Sequence, residues 1–131
     1  MGLIYLDSCL IIYAVEQNPQ WGLGIDAAMA KVPPEGFAIS GLTQMECLVK
    51  PVRDANTTLQ RQYERLFGTY HQLATPDEVF LMAAQLRARF GLKTPDALHL
   101  ACAQFHGCEA LWTNDDRLAQ AGHGLTVNIL R

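Results

Sequence analysis

Short apolar runs alternating with helical segments predict an α/β fold with a mainly parallel central sheet. Two observations carry this expectation. Residues 3–6, 37–39, 110–112 and 125–130 are brief apolar runs, each read as a strand. Longer stretches with helical spacing and helix-start residues lie between them.

A length of 131 residues suggests a single domain over residues 1–131, large enough for a real core. Half the residues are apolar and 18% are charged, so the composition is that of an ordinary globular protein. No apolar run approaches the roughly 18 residues needed to span a bilayer. The run at 10–15 has no positive flank or cleavage site to make it a signal peptide. The expected location is the cytoplasm, with no membrane contact. A net charge of −3 argues against binding nucleic acid by bulk charge alone. It leaves room for a nuclease whose acids hold metal ions. Cys9, Cys47, Cys102 and Cys108 form no Cys-x-x-Cys pair and read as small core residues.

The elements follow in order. Leu3-Ile4-Tyr5-Leu6 is a buried strand, closed by Asp7-Ser8, either of which can cap a helix through Leu10, Ile11 and Ala14. A second helix covers residues 23–31, and Pro33-Pro34-Glu35-Gly36 is a loop. Phe37-Ala38-Ile39 is strand two, and Ser40 caps the next helix. There, Leu42, Met45 and Val49 make one apolar stripe that contains Glu46. An acid on a core-facing stripe is costly unless paired, protonated or metal-bound. Pro51 is expected to end that helix.

Residues 57–70 form an amphipathic helix with Leu59, Tyr63, Leu66 and Phe67 on one side, and residues 71–74 a short strand. Thr75-Pro76-Asp77-Glu78 has the capping-box form, starting a helix that runs to Phe90 and stops at Gly91. In Lys93-Thr94-Pro95-Asp96, Thr94 reads as N-cap, Pro95 as N1 and Asp96 as N2. The dipole at a helix start favours the ionised form of such an acid. This helix ends near His106-Gly107. Strand 110–112 leads into Thr113-Asn114-Asp115-Asp116 and a short helix to Ala121. Residues 125–130 are the last strand.

Sites in open parallel α/β sheets form beyond the carboxyl ends of the strands. Asp7, Asp115 and Asp116 stand there, and Glu46 follows strand two on the second turn of its helix. Carboxylates that share a pocket repel one another unless protons or cations intervene. Oxygen ligands suit Mg²⁺ or Mn²⁺, which can acidify water and clamp a phosphate. The chemistry expected is metal-assisted phosphodiester hydrolysis.

Four segments resemble a PIN-domain ribonuclease, specifically a VapC-type toxin of a type II toxin–antitoxin system. They are Tyr5-Leu6-Asp7-Ser8, Thr43-Gln44-Met45-Glu46, Thr94-Pro95-Asp96-Ala97-Leu98-His99-Leu100-Ala101 and Thr113-Asn114-Asp115, in the family's order over nearly the whole chain. The resemblance implies a PIN-like three-layer α/β/α domain. It implies four acids, Asp7, Glu46, Asp96 and Asp115, as catalytic and metal-binding residues. Asp7 and Asp96 would be direct ligands, with Ser8 and Thr113 as polar helpers. It further implies a Mg²⁺- or Mn²⁺-dependent endoribonuclease leaving a 5′-phosphate and a 3′-hydroxyl. The partners implied are an RNA substrate, a cognate antitoxin and a second copy in a homodimer. Family position favours Asp115 over Asp116, which is left to cap the short helix.

Arg53, Arg61, Arg65, Arg87, Arg89 and Lys93 are candidates for holding RNA backbone and are also ordinary surface charges. His99, Cys102, His106 and Cys108 could suggest zinc, but Cys108 lies beyond Gly107 and no second pair supports the site. His99 and Cys102 read as packing residues, and His106 as a contact to the helix C-terminus. A haloacid-dehalogenase-type phosphatase wants a second acid where Cys9 stands. A receiver-like phosphoacceptor wants paired acids after strand one and a late Lys. A PIN fold serving only as a binding module is the non-enzymatic alternative.

Overall fold

The computed structural model describes residues 2–122 and 124–130. Within them, β1 (Ile4–Leu6), β2 (Phe37–Ser40), β3 (His71–Leu73), β4 (Ala110–Thr113) and β5 (Thr126–Asn128) form one sheet in the order β3-β2-β1-β4-β5. Every pair is parallel. Tyr5 of β1 stands opposite Ala38 and Leu111, and Leu6 opposite Trp112. The central strand is therefore paired along both edges, and its Tyr5 and Leu6 are fully buried. The fold is the α/β/α arrangement expected.

Among the described residues, seven α-helices make the crossovers: α1 (Ser8–Val15), α2 (Gly22–Met29), α3 (Gly41–Arg53), α4 (Thr57–Phe67), α5 (Asp77–Phe90), α6 (Thr94–Phe105) and α7 (Asp116–Ala121). Successive strand residues point to opposite faces, and the two faces hold separate cores. Leu6, Phe37 and Ile39 pack with Leu10 and Ile11 of α1, Ile25 of α2, Cys47 of α3 and Tyr63 and Phe67 of α4. Tyr5 and Leu111 pack with Val79 and Ala83 of α5, Leu100 and Cys102 of α6 and Leu118 of α7. Cys47, Cys102 and Cys108 are buried, as small core residues should be.

Several local expectations shift. Met45 and Val49 are each 54% exposed, so the apolar stripe of α3 does not face the core. Thr43, Cys47 and Pro51 do. The helix turns this face inward because the Thr43 hydroxyl is used there, reaching the Tyr5 hydroxyl and accepting the Ser40 N–H. Pro51 does not end α3, which runs two residues further to Arg53. In the last turn, the N–H that proline lacks is a single lost bond, and Asp54 N–H still reaches Lys50 O. The capping box at Thr75 does not form. Pro76 is the N-cap of α5 and contributes no side chain.

Lys93, not Thr94, is the N-cap of α6, and its carbonyl receives Ala97 N–H. Asp96 therefore sits at N3 rather than N2. Gly91 ends α5 as expected, at φ 68°, a left-handed conformation that glycine adopts without a Cβ penalty. The segment read as a last strand over 125–130 is extended only at Thr126–Asn128.

Candidate active site

The chain leaves β1 toward β2 on one side, whereas it leaves β4 toward β5 on the other. A crevice opens at the carboxyl ends of two neighbouring strands whose connections diverge. Asp7 follows β1 and Asp115 follows β4, so this crevice receives both.

Asp7 is fixed from two directions. Its N–H donates to Trp112 O at 3.0 Å, continuing the ladder between the strands. Its buried carboxylate accepts the Thr113 hydroxyl at 2.7 Å. It occupies the N-cap position of α1 but caps nothing with its side chain. The Thr113 oxygen also accepts Asp115 N–H at 3.1 Å, so one hydroxyl ties the two acids together.

Asp115, not Asp116, caps α7, its carboxylate accepting Leu118 N–H at 3.0 Å. Asp116 instead accepts Asn128 Nδ2 at 2.9 Å. The cap falls to Asp115 because its extended backbone, φ −117° and ψ 114°, is that of a residue just outside a helix.

Glu46 reaches the crevice from the second turn of α3. Its Oε1 accepts the Ser8 hydroxyl at 3.0 Å and meets His99 Nε2 at 2.6 Å. Burial alone would push this carboxyl up. The His99 contact and the Ser8 bond outweigh it and hold the group below the usual carboxylate range. The acid expected on a core stripe thus turns inward through polar partners, not through apolar neighbours.

Asp96, half-buried in the first turn of α6, is pushed the other way. Burial raises its carboxyl most, and the charges of Asp7 and Asp115 add to it. Glu46 contributes less, and His99 opposes the rise. Asp7, Asp115 and Glu46, from three other elements, thus all lie near enough to raise the Asp96 carboxyl. Lys93, Asn114, Asp116 and Arg117 join Asp96 and Asp115 around an open cavity of about 430 Å³. Lys93 was among the candidate cations, and Arg117 was not.

Among the described residues, no group of three or more His, Cys, Asp or Glu side chains stands arranged around one ion. Asp7 and Glu46 are turned to Thr113, Ser8 and His99. The chemistry of the donors still fits a hard divalent cation, because carboxylate and hydroxyl oxygens line the crevice. A cation would also relieve the repulsion focused on Asp96. Zinc finds no such support. His99 is engaged with Glu46, and His106 Nε2 lies 2.7 Å from Ala74 O, a contact with the chain after β3 rather than with its own helix end.

His99 is the residue that sequence reasoning missed. It is not simply packing, since both ring nitrogens are bonded at 2.6 Å, to Glu46 and to the Tyr5 hydroxyl. The remaining candidate cations lie elsewhere. Arg53 pairs with Asp54 at 2.9 Å, Arg87 donates to Leu92 O, and Arg89 stands over the Phe90 ring. Arg61 and Arg65 flank a separate groove on α4.

Comparison with known proteins adds to this geometry. The family model described as PIN domain matches residues 4–124. No curated protein matches the chain. Among solved structures, a toxin-antitoxin complex from Klebsiella pneumoniae matches at 24% identity and TM-score 0.79, covering 96% of this chain and 97% of that one. VapC20 of Mycobacterium tuberculosis, described as a sarcin-ricin loop cleaving toxin, matches at 15% identity and TM-score 0.76, covering 91% and 95%. VapBC2 of Rickettsia felis, bound to a DNA fragment from its promoter, matches at 13% identity and TM-score 0.72, covering 96% and 98%. At these identities the likeness is one of fold.

Proposed function

We propose that this chain, which belongs to the PIN domain family, is a metal-dependent endoribonuclease and the toxin of a toxin–antitoxin pair. PIN domains are generally nucleases. The observation that carries the reading is the convergence of Asp7, Glu46, Asp96 and Asp115 at the β1–β4 crevice, felt as a raised carboxyl at Asp96. Acids close enough to raise one another's carboxyls are a stability cost that a structural role does not require.

Asp7 and Asp96 would be the first ligands of a Mg²⁺ or Mn²⁺ ion, with Glu46 and Asp115 completing the site. Such an ion would supply positive charge to the scissile phosphate and acidity to the attacking water. The chain's own side chains do the rest. Thr113 holds Asp7 in one rotamer, Ser8 orients Glu46, and the cap bond to Leu118 N–H fixes Asp115. The products would be a 5′-phosphate and a 3′-hydroxyl.

Toxin–antitoxin assemblies among the similar structures support an antitoxin partner. The exposed Met45, Val49 and Val52, which share one side of α3, support burial against a protein, either the antitoxin or a second copy in a homodimer. No helix among the described residues is long and apolar enough to cross a membrane. An RNA-cutting toxin would act in the cytoplasm.

Brief expression in cells with sequencing of RNA 5′ ends tests the proposal. Wild type should arrest growth and create new 5′-monophosphate ends, and Asp7→Ala should do neither. Equal arrest by both proteins, with no new RNA ends, would favour a PIN fold used only for binding.

A further inference from the structure

Tyr5 and His99 lie at the centre of a buried polar chain that ends on Glu46. His99 is 1% exposed, Tyr5 and Thr43 are 0%, and Ser40 is 1%. The Tyr5 hydroxyl stands 2.6 Å from His99 Nδ1, 2.7 Å from Ser40 Oγ and 3.3 Å from Thr43 Oγ1. His99 Nε2 stands 2.6 Å from Glu46 Oε1 and 4.0 Å from Asp7 Oδ1. One edge of the ring thus faces two acids of the site.

Counting protons gives the chain a direction. An ionised carboxylate only accepts, so Nε2 carries hydrogen and donates to Glu46. Among the described residues the hydroxyl facing Nδ1 is that of Tyr5, which donates to a neutral ring and accepts from a doubly protonated one. Tyr5 oxygen is backed in turn by Ser40 and Thr43. In either state the ring donates to Glu46. A histidine kept only for packing would need none of this, and an apolar side chain would fill the same space without polar groups to satisfy. The chain also joins β1, β2, α3 and α6, so the position of Glu46 depends on four elements at once.

We propose that Tyr5 and His99 are positioning residues that aim the Glu46 carboxylate into the ion site. This inference rests on the nuclease reading of that site. Groups that hold a ligating carboxylate from behind reduce metal affinity or activity about 10–100-fold when removed. His99→Ala takes away the direct donor. Tyr5→Phe takes away one hydroxyl and leaves the ring, and it should cost about fivefold, the worth of one hydrogen bond.

The test compares purified full-length wild type, His99→Ala and Tyr5→Phe in three measurements. These are Mn²⁺ affinity by titration calorimetry, melting of the metal-free protein, and kcat and KM for cleavage of total cellular RNA. The expected result is weaker Mn²⁺ binding and lower kcat in both variants with KM nearly unchanged. If His99→Ala does not fold, Tyr5→Phe decides alone. Wild-type Mn²⁺ affinity in Tyr5→Phe, with only the melting temperature lowered, would overturn the inference and leave the nuclease intact. A wild type that neither binds Mn²⁺ nor cuts RNA would overturn the nuclease reading itself.

Discussion

The Thr113 hydroxyl reaches Oδ2 of Asp7 at 2.7 Å across 106 residues of sequence. Both groups are buried, and the same oxygen receives Asp115 N–H. One side chain therefore sets the spacing of two acids at the ends of adjacent strands. Thr113→Val keeps the shape and removes the hydroxyl. It should lower stability by about 1–3 kcal/mol, the cost of leaving a buried polar group unsatisfied. RNA cleavage should fall about 10–100-fold. Urea unfolding and a cleavage assay on the same preparation measure both.

Asp96 carries a stability cost that its replacement should expose. Its carboxyl is raised by burial and by Asp7 and Asp115. A carboxyl with a raised folded pKa binds more protons folded than unfolded, so stability falls as pH rises through that range. Asp96→Asn should therefore melt higher than wild type at pH 8 without metal. The advantage should vanish in acid, below the usual aspartate range. A variant that melts lower than wild type at pH 8 would mean Asp96 stabilises the fold.

Glu16 runs the opposite way. Burial would raise its carboxyl, but the bonds from Lys50 at 2.6 Å and Tyr63 at 2.5 Å outweigh burial and lower it. The contribution of a lowered carboxyl is present above its unfolded pKa and lost as pH falls through its folded one. Tyr63→Phe should cost about 1 kcal/mol at pH 7 and less in acid. Cleavage should be unchanged, because Glu16 lies at the far end of α1. Chemical unfolding at two pH values checks this.

The close approach of Gly122 and Thr126 is another point where sequence and packing meet. A Cβ at 122 would lie 1.9 Å from Thr126 Oγ1 and 2.9 Å from its backbone nitrogen. Gly122→Ala should destabilise the protein by about 1–3 kcal/mol through overpacking. Melting temperature reads this directly.

The inner strands β1, β2 and β4 were legible because they are short, mostly apolar and closed by helix starts. Helix boundaries were less so, for a local reason. Thr75-x-x-Glu78 and Thr94-Pro95 both have the spacing of a cap, yet the chain turns elsewhere, and only the backbone angles at Pro76 and Lys93 decide it. Asp7 and Asp115 could be placed near each other because strand ends locate them. Glu46 was singled out by an apolar stripe that turns out to face solvent. What brings it inward is His99, 53 residues away, which in turn is held by Tyr5, 94 residues away. No local pattern announces such a bond, so a buried histidine on an apolar helix face reads as packing. Arg117, beside the same cavity, was hidden because a lone arginine on a short helix carries no signal.

The most direct test of the central claim is RNA cleavage by purified protein across a metal titration. Activity should vanish in EDTA, return with added Mg²⁺ or Mn²⁺, and stay absent at every metal concentration in Asp96→Asn. Cleavage by Asp96→Asn at the wild-type rate, or undiminished wild-type cleavage in EDTA, would contradict a metal site built on these four acids.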